Sequence, residues 1–384
     1  MKDVVDKETL EISGVEVVAE RTLRVRIDAP KAYFLAKLTH PSAYVVDRKN
    51  VEQGLEWWRE PNGTGPFRLK GWKAGVALAL EANKQYHRSV VQTPYVVFSF
   101  LGGGAASMYE GGEVDVAFPS AAEVKEMKAT GSPLAKELQE KAQLSVFFIG
   151  FNTTRPPFNI PEVRRAFLLA ADRQRLLTEV YGDLVVLAHG FLPPGLPGYN
   201  PRLAPIPYDP VEARRILDSL YGGGPLPPII FTAPGTVSPP PEVVALFDMW
   251  RQNLGVTVQV NMVDAASYYS YLESTPGNLF EYGWVADYPD PVNFLDVLFN
   301  SDSRIDTGGY RNDEVNQLLE KARVEPDLRA RLQLYQKAEE ALIEDVAAIP
   351  LYFGNDFSLV NPRVKGFSIS PLGLMNLLQI SLTP

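Results

Sequence analysis

The chain has 384 residues, 46% of them hydrophobic and 22% charged, with a formal net charge of −9. That is the balance of a folded chain of two or three domains, and it excludes disorder and a basic nucleic-acid surface. The absence of cysteine excludes disulfides, thiolate metal sites and a cysteine nucleophile, and the 32 prolines predict many turns and irregular extended segments.

In chain order, Met1 to Glu8 carries no apolar core of an export signal, and no run of about 18 apolar residues follows that would span a membrane. The first 150 residues read mainly as strands. Leu23, Val25 and Ile27 alternate with Arg24, Arg26 and Asp28, the period of a half-buried strand. Val76, Leu78 and Leu80 repeat it after Lys73-Ala74-Gly75, which makes residues 67–81 a hairpin. Val96 to Leu101 reads as a buried strand, Val114 to Phe118 as a short one, and Leu144 to Phe151 as the most apolar run of this half.

Helices then take over. Val163, Ala166, Phe167, Ala170, Leu177, Val180 and Tyr181 share one helical face, with Pro161 in the first turn and Gly182 as the stop. Asp209 predicts an N-cap, Pro210 the first helical residue, Glu212 the capping-box partner and Gly222 the terminator. Residues 228–232, 241–254 and 256–262 read as strand, helix and strand, a βαβ unit. Two amphipathic helices follow, one centred on Val315, Leu318, Leu319 and Ala322, the other starting at Pro326. Strand character resumes at Ile349 to Phe353.

Signals for an enzyme are absent. His40, His87 and His189 are each isolated, with no metalloprotease pair and no nucleophile elbow. Gly102-Gly103-Gly104 completes neither a dinucleotide fingerprint nor a phosphate loop and reads as a turn. No cofactor and no metal are expected.

Gly63-Thr64-Gly65-Pro66-Phe67 is by itself a tight turn before a strand. With Trp72, Gly75, Leu78, Leu80, Asn83 and Tyr86 behind it, the stretch resembles a block of the family-5 extracellular solute-binding proteins, the oligopeptide-, dipeptide- and nickel-binding proteins of ATP-driven importers. Further blocks fall in that family's order: Gly112-Glu113-Val114-Asp115, Phe151-Asn152-Thr153-Thr154 with Val163-Arg164-Arg165-Ala166, Ala171-Asp172-Arg173, Leu192-Pro193-Pro194-Gly195, and Tyr208-Asp209-Pro210. Gly283-Trp284-Val285-Ala286-Asp287-Tyr288-Pro289-Asp290-Pro291, Ile349-Pro350-Leu351-Tyr352 and Val364-Lys365-Gly366 complete the series. Asn316 stands where the family usually has an acid.

The resemblance implies an α/β, two-lobed periplasmic-binding-protein-like fold of type II, the peptide-binder class. Relatives carry a long segment before the strand that Val15 to Val25 resembles, so the N-terminal part of lobe I and the extra domain are expected to be largely absent. Residues 1–150 and 354–384 are then the strand-rich remainder of lobe I, 151–158 and 349–353 the hinge crossings, and 159–348 an α/β lobe II. The implied function is non-enzymatic: extracytoplasmic binding of a solute, oligopeptide first, and delivery to the permease of an ABC importer by lobe closure. The alternatives are a shortened relative that binds nothing and serves a structural or regulatory role, and a hydrolase. The expected location of the full-length form is periplasmic or extracellular, held to the membrane through the permease or a missing lipoprotein anchor, with no nucleic-acid partner. A chain lacking that segment is expected to bind peptides poorly and to self-associate through an exposed sheet edge.

Four residues are candidates for ligand binding. Asp287 reads locally as a turn acid; the resemblance makes it the partner of a ligand's α-ammonium, which needs a counter-charge and acceptors once desolvated. Trp284 reads either as core or as a flat wall for ligand side chains. Tyr288 and Asn152 are the other two.

Overall fold

The computed structural model describes residues 12, 14–274, 276–303, 305 and 308–383. Strands β1 (Val15–Ala19) and β2 (Thr22–Val25) form a hairpin, followed by the single-turn helices α1 (Phe34–Lys37) and α2 (Arg48–Val51). Strands β3 (Phe67–Lys73), β4 (Ala77–Ala82) and β5 (Tyr95–Ser99) make an antiparallel meander. The predicted hairpin is therefore present. The predicted burial is not: every residue of β1 and β2 is exposed, and so are Val97, Phe100 and Leu101. Alternation marks a strand with an apolar face, but among the described residues no second layer covers these faces.

Helix α3 (Ala105–Glu110), strand β6 (Val116–Ala117), helix α4 (Ala121–Thr130) and strand β7 (Leu138–Ala142) come next. Helix α4 opens on a capping box, Ser120 with Glu123, and closes on Gly131 at φ 65°. Strand β8 (Ser145–Phe151) leads into helices α5 (Pro161–Leu169) and α6 (Arg173–Val180). The single predicted helix over 163–181 is thus two. Asp172 breaks it by accepting the amide of Arg175 and capping α6, which the apolar spacing alone conceals. After β9 (Val186–Leu187), helix α7 (Pro210–Tyr221) has the predicted ends: Asp209 accepts the Glu212 amide at 2.9 Å, and Gly222 takes φ 60°. Glu212 pairs with Arg215 instead of returning to Asp209.

The βαβ unit is as read: β10 (Ile229–Pro234), α8 (Pro241–Leu254) and β11 (Val258–Val263), with the strands parallel. Helix α9 (Tyr268–Ser274), strand β12 (Leu279–Val285) and helices α10 (Leu295–Phe299), α11 (Asp313–Val324) and α12 (Leu328–Glu344) follow. Strands β13 (Ala348–Phe353), β14 (Asn355–Val360), β15 (Val364–Lys365) and β16 (Ser381–Leu382) end the chain.

A six-stranded mixed sheet, in the order β11-β10-β12-β8-β13-β9, organises the α/β part. Strand β8 is paired antiparallel on both sides. Its residues alternate between two cores: Val146 and Phe148 pack with Phe280, Tyr282, Phe299 and Tyr335, while Ile149 and Phe151 pack with Phe167, Phe231, Leu246 and Trp250. Burying each such large apolar side chain is worth about 1.5–3 kcal/mol. Trp250 is fully buried and still satisfied, since its Nε1 donates to the Phe167 carbonyl at 2.9 Å. Gly150 lets the layers meet, because a Cβ there would stand 2.2 Å from the Phe280 ring.

A second sheet, β6-β14-β7, lies beyond. The chain runs from β7 into β8 through Gln143 and Leu144, and from β13 into β14 through Gly354. The two passages lie side by side: the Gln143 amide donates to the Gly354 carbonyl at 3.1 Å. The sequence reading groups residues 145–150 with the N-terminal strands; their ladders with β12 and β13 put them in the six-stranded sheet.

On α12, Glu339 is only 2% exposed, and its Oε1 accepts the amides of Phe191 and Leu192 at 2.7 and 2.8 Å. This pins the Pro-rich loop onto the helix. Burial raises the carboxyl to about 7, against the pull of the two amides. The folded state therefore holds a proton that the unfolded chain releases at a lower pH, near the ordinary glutamate value of about 4.3. The stability this group contributes is complete below that value and is lost as pH rises through about 7. Urea melts of the wild type are expected to show a falling midpoint between pH 5 and pH 8. Glu339→Gln should flatten part of that fall, with Glu281 and Asp296 contributing to the remainder because burial raises them to about 7 and about 6. Parallel declines in the two proteins would refute the assignment.

Candidate ligand-binding site

The turn after β12 holds two aspartates with different tasks. Asp290 is 9% exposed and receives both arms of the Arg331 guanidinium, at 2.6 and 2.9 Å. It also accepts the Val292 amide at 3.0 Å, so it starts the helical turn Pro291–Asn293. A bidentate buried pair of this kind fixes geometry. Asp287 has no such cation. Its side chain is 45% exposed, and its closest basic group is the His40 Nε2, 3.6 Å from Oδ1. Of the two acids, Asp290 serves the fold and Asp287 faces outward.

Asn293, 1% exposed, orients the outward acid. Its Oδ1 accepts the Asp287 amide at 2.7 Å and the Trp284 indole N–H at 3.4 Å, and its Nδ2 donates to Asp287 Oδ2 at 3.1 Å. One side-chain amide thus locks the carboxylate and the indole together. Neither Asn293 nor His40 was among the sequence candidates. Asn293 carries no chemical signature of its own, and His40 lies far away along the chain.

The structure brings Trp284 and Asp287 together and separates the other two candidates from them. Tyr288 is buried, stacked on Tyr33 at 6.4 Å between centroids, with the Lys37 ammonium 5.7 Å from its ring centre. Burial raises the Tyr288 hydroxyl, pushes Tyr33 up to about 12 and lowers Lys37. Tyr288 thus supports the turn from behind. Asn152 lies by the opposite end of β12, its amide bonded to the Asn278 carbonyl. Its side chain donates to the Gly277 carbonyl and accepts from Thr154, so its bonds are spent inside the protein.

Beyond its first residues the outer edge of β12 has no strand partner among the described residues and is capped by helix α9. Strand β10 pairs with it only at Leu279 and Phe280. Beyond them, the outward carbonyls of Glu281 and Gly283 are met by the hydroxyls of Tyr268 and Tyr269, and Val285 is exposed. The end of β12 at the exposed Val285, beside an oriented carboxylate and an indole, suits an extended chain with a positive end. Among the described residues no group of three or more acidic, histidine or cysteine side chains is placed to hold a metal ion. None of the helices there is long and apolar enough to cross a membrane.

Asn293→Ala is expected to destabilise the fold by about 1–3 kcal/mol, because it strands the Asp287 amide and the indole N–H. The midpoint of a urea unfolding curve would register it, and an unchanged midpoint would show that the asparagine is dispensable.

Comparison with known proteins gives the family and the fold. Residues 3–305 match the family described as bacterial extracellular solute-binding proteins, family 5 Middle. The dipeptide-binding protein DppE of Bacillus subtilis is 27% identical over 382 residues, covering 93% of this chain and 68% of that protein. The periplasmic oligopeptide-binding protein OppA of Salmonella typhimurium is 26% identical, with 92% and 67% covered, and the heme-binding protein A of Haemophilus influenzae is 28% identical, with 94% and 68% covered. The solved structure of the Escherichia coli murein tripeptide binding protein MppA superposes with a TM-score of 0.85 at 25% identity, over 99% of this chain and 77% of that one. The α/β fold is that of these peptide-binding proteins. The chain belongs to the family-5 extracellular solute-binding proteins, a family of binders and not of enzymes.

Proposed function

We propose that the protein binds an oligopeptide outside the cytoplasm and presents it to the permease of an ABC-type importer. The carrying observation is Asp287: a half-exposed carboxylate, preset by Asn293, at the open end of a strand. In this reading the ligand's α-ammonium pairs with Asp287, its main chain meets the end of β12 at Val285, and its first side chain rests on Trp284. Main-chain bonding leaves side chains in tolerant surroundings and makes specificity broad. Relatives of the family are named for dipeptides, oligopeptides and heme. An ammonium suits Asp287, whereas the anionic propionates of heme would meet a like charge. Tyr288 acts in this reading as a support of the turn, and Asn152 holds the other end of β12.

The two lobes in this proposal meet at the paired passages, Gln143–Leu144 and Gly354, and not at the expected crossings 151–158 and 349–353, because Phe151 ends β8 and 349–353 lies within β13, both inside the six-stranded sheet. They close by bending there, since a few residues at the ends of elements absorb such motions. Small-angle scattering should show compaction with saturating peptide; superimposable profiles would argue against closure.

Asp287→Asn should weaken peptide binding by about 2–5 kcal/mol, the usual cost of removing one member of a charge pair that the complex buries. Calorimetry with defined peptides measures it, and N-acetylated peptides should show the same loss on the wild type. Equal affinities at neutral pH would sink the assignment.

A further inference from the structure

His40 reaches the site from outside the turn that carries Asp287. It ends a segment, residues 33–40, that lies against that turn. Tyr33 is buried, stacks on Tyr288 and joins the core shared by β8, β12 and α12, and Ala36 packs against the same core. The Arg331 guanidinium, which holds Asp290, stands 5.5 Å from the Tyr33 ring centre. Pro41 then sets the exit. The residue before a proline is held extended, and His40 has φ −70° and ψ 142°. That backbone makes His40 the cap of the short turn Pro41–Ala43 and fixes the direction of its ring.

Both ring nitrogens have definite neighbours. Nδ1 accepts the Ser42 amide at 3.3 Å and lies 2.8 Å from the Ser42 hydroxyl oxygen. An acceptor at Nδ1 leaves the ring proton on Nε2. Nε2 faces Asp287 Oδ1 at 3.6 Å, which is too long for a hydrogen bond. Asn293 takes the other oxygen, Oδ2. Oδ1 is thus the oxygen left for a ligand, and His40 is the side chain beside it. A nitrogen about 2.9 Å from both Nε2 and Oδ1 completes a triangle, so the two atoms are better spaced to share one donor group than to bond each other. An ammonium has three donors to place and no use for a facing N–H. The ring can meet it with a lone pair instead. A proton on Nδ1 has an acceptor in the Ser42 hydroxyl, and the exposed Ser42 amide then turns to water.

We propose that His40 is a specificity residue of the ligand site, its Nε2 serving with Asp287 Oδ1 as the second acceptor for a primary ammonium at the start of the peptide. On binding, the ring proton leaves Nε2 and an equivalent one is taken up at Nδ1 by exchange with water, so the ring stays neutral throughout. The inference rests on the reading of Asp287 given above. It adds that the site counts donors as well as charge, because the carboxylate asks for a positive group and the imidazole for a further N–H on the same nitrogen.

Calorimetry with trialanine and its N,N-dimethyl form tests it. The dimethyl form keeps the positive charge but has one N–H to give, so it satisfies Asp287 and not His40 as well. The wild type should bind trialanine about tenfold more tightly than the dimethyl form. His40→Ala should bring the two within about twofold by weakening trialanine alone. His40→Gln, which retains an acceptor, should restore part of the difference. Nitrogen NMR of histidine-labelled wild type reads the ring directly: saturating trialanine should move the His40 proton from Nε2 to Nδ1, and the dimethyl form should leave it on Nε2. A tautomer unchanged by trialanine, or a His40→Ala protein that weakens both peptides equally, overturns this inference and leaves Asp287 standing. An Asp287→Asn protein that binds trialanine as tightly as the wild type overturns the underlying site and the role of His40 with it. Failure of the wild type to bind trialanine overturns both.

Discussion

The structure depends on strand β8 being hydrogen bonded along both edges. Its seven residues bond β12 on one side and β13 on the other. Each side chain goes to one of two cores, so a slip of one residue would exchange both faces at once. This constraint sets the height of β12 in the sheet. With Leu279 opposite Phe151 and Val285 opposite Ser145, the turn bearing Asp287 emerges at the end of the sheet where the chain passes to its neighbour. The same strand, through β13, holds the return passage beside the outgoing one.

The site itself is a division of labour within ten residues. Trp284, Asp287, Asp290 and Asn293 follow one another along a single turn. Arg331 neutralises Asp290 in the interior and fastens the turn to α12. Asn293 spends its acceptor on the Asp287 amide and the indole, and its donor on the Asp287 carboxylate. What remains outward is one charge in a set orientation, the arrangement that lets a binding site lose little freedom when ligand arrives.

Local signals were legible in the sequence where a few adjacent residues decide the outcome. The caps of α7 and the βαβ unit are of that kind, as is the hairpin at 67–81. The family blocks singled out Trp284 and Asp287, which the fold brings together on Asn293. Burial was less so, because alternation in Leu23 to Ile27 says that a strand has an apolar face and not whether another layer reaches it. The break at Asp172 was hidden because one capping oxygen outweighed a continuous apolar stripe. The capping box at Ser120 and Glu123 was present in the sequence and passed over in a stretch read as strands. The partners of Asp287 divide the same way. Asn293 is only six residues off, yet asparagine at a turn is ordinary; His40 is brought near only by the finished fold.

The pairing of β8 with β13 also bears on how the chain is made. Its partners are about two hundred residues apart in sequence, and β12 arrives well after β8 as well. As the chain grows from its N-terminus, Val146, Phe148, Ile149 and Phe151 emerge long before either neighbour exists. Contacts of such long separation close slowly, because the intervening loop must be ordered before the pairing repays it. The central sheet is therefore completed only after synthesis has passed Phe353, and until β12 emerges its most apolar strand is without partners. Until those strands are made, a nascent chain of this design keeps β8 open, dependent on whatever holds such segments apart.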